Sequence, residues 1–274
     1  MASTCCFTGS VKHDEKPRGR ISTIHGRQTY VTEPVDGQKA QGLIVIVPDA
    51  FGLPFINNQV LADHYAEKGQ FKVYLPDFMD GTAAPTWMLY SMDRVLATST
   101  LSDWITKPYH IAWTVYGFLP WAIQNRFAVS MPKVKSFFSA VRQAEGSLPV
   151  FSAGFCWGGQ HVIHLAAGLQ DNGRQLCDAH FMAHPSNLRV PTDFENVKLP
   201  LSLAIGDRDF VMSLQQAREA EAVLRRRVDV KSEVVVYPGA GHGFAVRADL
   251  GNDAVTQQAL DAENQAIQFF KSCM

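Results

Sequence analysis

Five cysteines in 274 residues, at positions 5, 6, 156, 177 and 273, are odd in number and irregular in spacing. That excludes a disulfide framework and a zinc site, and it suits a reducing compartment. Charge of either sign is also scarce in blocks. The formal net charge is −1 and no basic run is long enough to track phosphates, so nucleic acid is not an expected partner. Long apolar runs are missing too. The longest, Ile111 to Ile123, has 13 residues against the ~20 of a spanning helix. It is interrupted by Gly117 and Pro120, so no membrane span is expected. The first twenty residues lack the apolar core of a signal peptide and read as a tail that reaches the cytosol, with Cys5 and Cys6 incidental. No internal repeat, low-complexity tract or linker divides the chain, which reads as one domain over 1–274.

What the chain does contain is a rhythm of short apolar runs and amphipathic segments. Residues 43–48, 71–76, 148–153, 179–184, 200–205 and 232–237 read as strands with little polar alternation, as parallel strands buried on both faces do. Residues 57–69, 158–169, 213–228 and 254–271 read as helices between or after them. Strand then helix, repeated, predicts a mostly parallel sheet flanked by helices. Residues 27–33 add an antiparallel edge strand. One region breaks the rhythm. Residues 81–127 hold Trp87, Trp104, Trp113 and Trp121, four of the five tryptophans. This aromatic insert reads either as a lid over a pocket or as a helical excursion packed on the core. As a lid, it would set which acyl or lactone groups fit, with Trp113 and Trp121 lining the pocket.

The stretch "VFSAGFCWGGQHV" places Cys156 between glycines, after a strand and before a helix. A nucleophile elbow needs this pattern, because side chains two positions either side of the strained central residue collide. The following helix turns its positive end to the thiol and favours thiolate. It also leaves the backbone N–H of Trp157 for an oxyanion. A thiolate needs a base, and the base an orienting acid, on loops after later strands. The loop after 200–205 offers Asp207 and Asp209; the loop after 232–237 offers His242 in "PGAGHGF". The other histidines fit no metal. His180 and His184 sit ~13 Å apart along one strand face. His161 and His164 lack a third ligand nearby, and His25, His64 and His110 read as surface.

Together "PDAFG", "GFCWGG", "AHPS", "GDRD" and "GAGHGFAVR" resemble the dienelactone hydrolase family of the α/β-hydrolase superfamily, especially its fungal members. The resemblance implies Cys156 as nucleophile, His242 as base and Asp209, rather than Asp207, as the acid, because the family's acid ends a G-x-x-D pattern. It implies an oxyanion hole from the backbone N–H groups of Trp157 and Ala50. It sets Asp49 where the bacterial enzyme has a glutamate that contacts the resting cysteine. It sets Arg247 near the arginine that holds a substrate carboxylate, with Arg94 and Arg126 as candidates for a second one. The expected protein is an α/β-hydrolase that cleaves a lactone or ester without cofactor or metal. It acts in a fungal biosynthetic or catabolic pathway, in the cytoplasm, alone or as a homodimer. A thioesterase, a non-hydrolytic lactone-processing enzyme and a catalytically dead binder are the alternatives.

Overall fold

The computed structural model describes residues 16–96, 100–248 and 253–274. Residues 1–15, with Cys5 and Cys6, lie outside them. Two strands, β1 (Arg20–Ile24) and β2 (Arg27–Thr32), form a hairpin at one edge of an eight-stranded sheet. Then come β3 (Leu43–Val47), α1 (Ile56–Gly69), β4 (Lys72–Pro76), α2 (Trp87–Leu96), α3 (Leu101–Gln124) and α4 (Phe127–Ala144). The second half runs β5 (Val150–Phe155), α5 (Trp157–Ala166), a small ribbon of β6 (Gln170–Asp171) and β7 (Arg174–Gln175), and β8 (Ala179–Ala183). It closes with α6 (Thr192–Glu195), β9 (Leu201–Gly206), α7 (Leu214–Arg226), β10 (Ser232–Tyr237) and α8 (Asp253–Lys271).

The sheet order is β1-β2-β4-β3-β5-β8-β9-β10. β2 runs antiparallel to β4, and every later pair is parallel. The parallel strands are apolar throughout because both faces are covered: all five residues of β3 and all six of β5 are buried. Helices α1 and α8 pack together on the sheet, while α4, α5, α6 and α7 form a continuous second layer. Phe71, Phe151 and Phe270 interlock α8 with the sheet edge to edge and face to face. This is the α/β-hydrolase fold. The C-terminal ends of β3, β5, β8, β9 and β10 line up along one edge, where ligands bind in parallel α/β sheets.

Strand β1 starts at Arg20, the last residue of the expected tail, and runs through residues that carried no expected element, as does most of α4. The aromatic insert is a helical hairpin of α2 and α3. Thr100 starts α3 with a capping box, accepting from the Asp103 N–H while the Asp103 carboxylate accepts from the Thr100 N–H. The two helices meet closely at Gly117, where an added Cβ would lie 2.7 Å from Met88 Sδ. His110, expected at the surface, is buried on this inner side against Tyr90.

Candidate active site

At the end of β5 the backbone turns sharply at Cys156, with φ 49° and ψ −111°. A non-glycine residue rarely holds such a conformation unless its surroundings fix it. The Cys156 N–H donates to the Ala183 carbonyl at 3.3 Å, and its own carbonyl accepts from Ser186 N–H at 3.0 Å. Gly158 permits the turn to sit this close to the sheet: a Cβ there would lie 1.9 Å from the Val47 carbonyl oxygen. The start of α5 is thereby pressed against the loop after β3 that carries Asp49 and Ala50. As the first residue of α5, Trp157 has no intrahelical acceptor for its N–H.

Three loops converge on the thiol. His242 Nε2 lies 3.1 Å from Cys156 Sγ, and His242 Nδ1 lies 3.0 Å from Asp209 Oδ2. Asp209 is held in turn by the N–H groups of Val211 and Met212 at its Oδ1. Asp207, the other sequence candidate, caps the β10 turn by accepting from Gly239 N–H instead. With both Asp209 oxygens facing Nδ1, that nitrogen carries a proton and Nε2 is the one that exchanges with sulfur. Burial by itself would raise the Cys156 thiol, but the charge of the adjoining His242 and its hydrogen bond outweigh this and lower it. Burial would likewise lower His242, yet the thiolate opposite and the Asp209 bond push it up to about 9. Both directions describe a thiolate–imidazolium pair.

A second buried pair adjoins this one. Asp49 is wholly buried and accepts from Phe51 N–H, Asn58 Nδ2 and, at 3.1 Å, an Arg247 terminal nitrogen. The Arg247 guanidinium lies over the Phe51 ring, 5.3 Å from its centroid. Its charge helps lower the Cys156 thiol, which Asp49 opposes. Arg247 thus meets a protein carboxylate through one terminal nitrogen, while its buried Nε has no partner among the described residues.

Among the described residues the foot of the hairpin meets the elbow helix. Trp121 is buried, with its ring 6.4 Å from that of Trp157, and its Nε1 points at Met79 Sδ. The Trp157 Nε1 donates to the Asn125 carbonyl at 2.9 Å, just past the end of α3. Trp113 sits farther along, and the rings it touches, Trp87, Tyr109 and Tyr116, all belong to the hairpin. Arg94 is taken up by Asp103, and Arg126 donates to the Ile123 carbonyl.

Sequence reasoning passed over His184 as a strand residue. It lies just past β8 with φ 37° and its ring stands edge to face with His242, centroids 5.2 Å apart. Burial first, then the charges of His242 and Arg247, hold it well below the ordinary histidine range, so it stays neutral. Its place in "AHPS", directly after a buried strand on the elbow's neighbour, was the available signal. Among the described residues no group of three or more histidine, cysteine, aspartate or glutamate side chains could hold a metal ion, and no helix is long and apolar enough to cross a membrane.

Comparison with known proteins points one way. The family model described as "Dienelactone hydrolase family" matches residues 28–274. The chain is 26% identical to "Hydrolase tropI" of Talaromyces stipitatus over 100% of this chain and 97% of the relative. It is 28% identical to "Dienlactone hydrolase 1" of Gibberella moniliformis over 91% and 85% of the two. A putative dienelactone hydrolase from Klebsiella pneumoniae superposes with a TM-score of 0.61 at 16% identity, covering 89% of this chain and 92% of that one, a likeness of fold.

Proposed function

The chain belongs to the dienelactone hydrolase family and is an ester or lactone hydrolase, and from that premise we propose that it works through Cys156, His242 and Asp209 by way of an acyl-enzyme. The observation that carries this reading is the unbroken line from Sγ to Nε2 at 3.1 Å and from Nδ1 to Asp209 at 3.0 Å. The Cys156 thiolate adds to the carbonyl carbon, and the resulting oxyanion is held by the N–H groups of Trp157 and Ala50. As the tetrahedral centre collapses, the carbon–oxygen bond of the ester breaks, and the leaving alkoxide takes the proton from His242 Nε2. Water then gives a proton to Nε2 while its oxygen bonds to the acyl carbon. The carbon–sulfur bond breaks, releasing the acid and restoring the ion pair. Asp209 keeps Nδ1 protonated and the ring aimed throughout. Water is the only co-reactant, and no cofactor enters.

In the same reading Arg247 leaves Asp49 for a substrate carboxylate, and the hairpin of residues 81–127, through Trp121 and Trp113, limits what enters. A cytoplasmic setting in a fungal biosynthetic or catabolic pathway fits the fungal relatives and the free thiols of Cys156, Cys177 and Cys273. The test is a panel of matched lactones and esters, with and without a free carboxylate, with products identified and the acyl-enzyme trapped at low pH for mass spectrometry. Expected are an acyl adduct on the Cys156 peptide and a kcat/KM roughly tenfold to a hundredfold higher for anionic substrates. That preference should vanish in Arg247→Met. Turnover with the adduct on another residue would sink the mechanism.

A further inference from the structure

Helix α3 is apolar around most of its circumference, and only one side is used. Asp103, His110 and Trp121 are buried, His110 against Tyr90 of α2 and Gly117 against Met88, while the opposite side faces solvent. On that outer side Leu101, Ile105, Pro108, Ala112, Val115 and Leu119 follow one another at steps of four, three, four, three and four residues. This is the spacing of a helix–helix seam, with aliphatic and small residues only. Leu101, Ile105, Val115 and Leu119 are 77%, 70%, 53% and 55% exposed. A helix that is apolar all round belongs in an interior.

We infer that the outer seam of α3 is the interface of a homodimer, in which the α3 helices of two copies pair antiparallel about a two-fold axis at Ala112. Ala112 lies at the centre of the exposed side of α3, opposite the buried Asp103, His110 and Trp121. A two-fold at 112 sets Leu101 against the partner's Ile123, and Ile105 against the partner's Leu119. Each contact occurs twice, as an isologous interface requires, and Pro108 and Val115 meet the partner's Tyr116 and the partner's Tyr109. Ala112 on the axis lets the backbones approach. Charge agrees with a second copy. Asp103 is engaged by Arg94, Lys107 lies over the Trp104 ring, and residues 111–124 carry no charge, so like charges do not meet. A bilayer surface is the poorer occupant, because an interfacial helix holds to lipid headgroups through a basic polar face that α3 lacks. The area also suffices. At roughly 50–100 Å² per exposed side chain, the seam and the aromatic rows flanking it offer ~800 Å² per copy, the size of a standard interface.

Sedimentation of the full chain from 1 to 100 µM is expected to give twice the 30.3 kDa of one copy. Leu119→Lys or Ile105→Lys should weaken the dimer on the order of a hundredfold, each change acting twice. A second measurement fixes the register. In a chain with Cys5, Cys6 and Cys273 changed to serine, Ala112→Cys should form a disulfide-linked dimer at least tenfold faster than Lys135→Cys, an exposed position on α4. A monomer throughout the range overturns the proposal, and so does a dimer whose Ala112→Cys links no faster than Lys135→Cys. Monomers that co-sediment with neutral or anionic liposomes would assign the face to lipid. Mass is the readout throughout, so this result stands apart from any outcome of the hydrolysis assay.

Discussion

Along the C-terminal edge of the sheet, charged side chains are buried in pairs: His242 with Asp209, and Arg247 with Asp49. On the α2–α3 hairpin the opposite holds, with Tyr90, Trp104, Tyr109 and Tyr116 each more than half exposed. Each arrangement runs against stability. Stripping water from a charged group costs several kcal/mol. An apolar side chain left in water forgoes about 25 cal/mol per Å² of burial. Evolution tolerates the first where chemistry needs a tuned charge, and the second where something else is to be covered. The two regions thus spend stability in two different ways within one chain.

The comparison breaks most severely at the thiol. Cys156→Ala should lower kcat/KM by at least roughly a thousandfold while leaving the melting temperature within a few degrees. In the unaltered protein, iodoacetamide should label Cys156 near neutral pH ahead of Cys177, whose buried thiol is raised well above the ordinary value. The sign follows from the ion pair. Acid protonates the thiolate below the lowered Cys156 value, and base strips His242 at about 9, so kcat/KM should form a bell whose alkaline limb falls near there. A rate still climbing above pH 10 would mean that the imidazolium is not the acid.

A smaller effect is expected at the neighbouring pair. Arg247→Met strands the Asp49 carboxylate in the interior and should cost about 3–5 kcal/mol in chemical denaturation. Asp49→Leu combined with Arg247→Met should recover most of that loss, because no charge is then left unpaired. If the double variant is as unstable as the single one, the guanidinium supports the fold by packing on Phe51 rather than by charge.

The hairpin should respond least, and unevenly. Trp121→Ala removes a buried ring and should cost about 3–5 kcal/mol. Trp113→Ala, at a position 41% exposed, should stay within about 1 kcal/mol. Should Trp113→Ala also alter the ratio of bulky to small ester turnover, the outer part of the hairpin takes part in admitting substrate. An unchanged ratio confines that role to its foot.

The sheet and the elbow were legible because each is local in sequence. Parallel strands announce themselves as unbroken apolar runs such as "LIVIV", and an elbow's glycines must flank its nucleophile. What escaped was set by distant partners. Strand β1 holds only two apolar residues in five and is fixed by pairing with β2 and by the grip of Asp63 on Arg18 N–H and Tyr30. Helix α4 carries Pro132 and an even mix of apolar and polar residues, which blurred its start against the insert. His110 looked like a surface histidine because its burial depends on Tyr90, twenty residues earlier. The pairing of Arg247 with Asp49 joins positions 198 residues apart, beyond any local pattern.

The hydrogen bond from the Trp157 indole to the Asn125 carbonyl ties the nucleophile's helix to the foot of the hairpin. Among the described residues helix α3 packs chiefly on α2, with Trp121 against Trp157 and Met79 at its foot, so it should open at a lower free energy than the sheet. Each such opening would withdraw the Asn125 acceptor from Trp157, next to Cys156. On heating, turnover should then fall before the far-ultraviolet signal of the sheet is lost, and return on cooling.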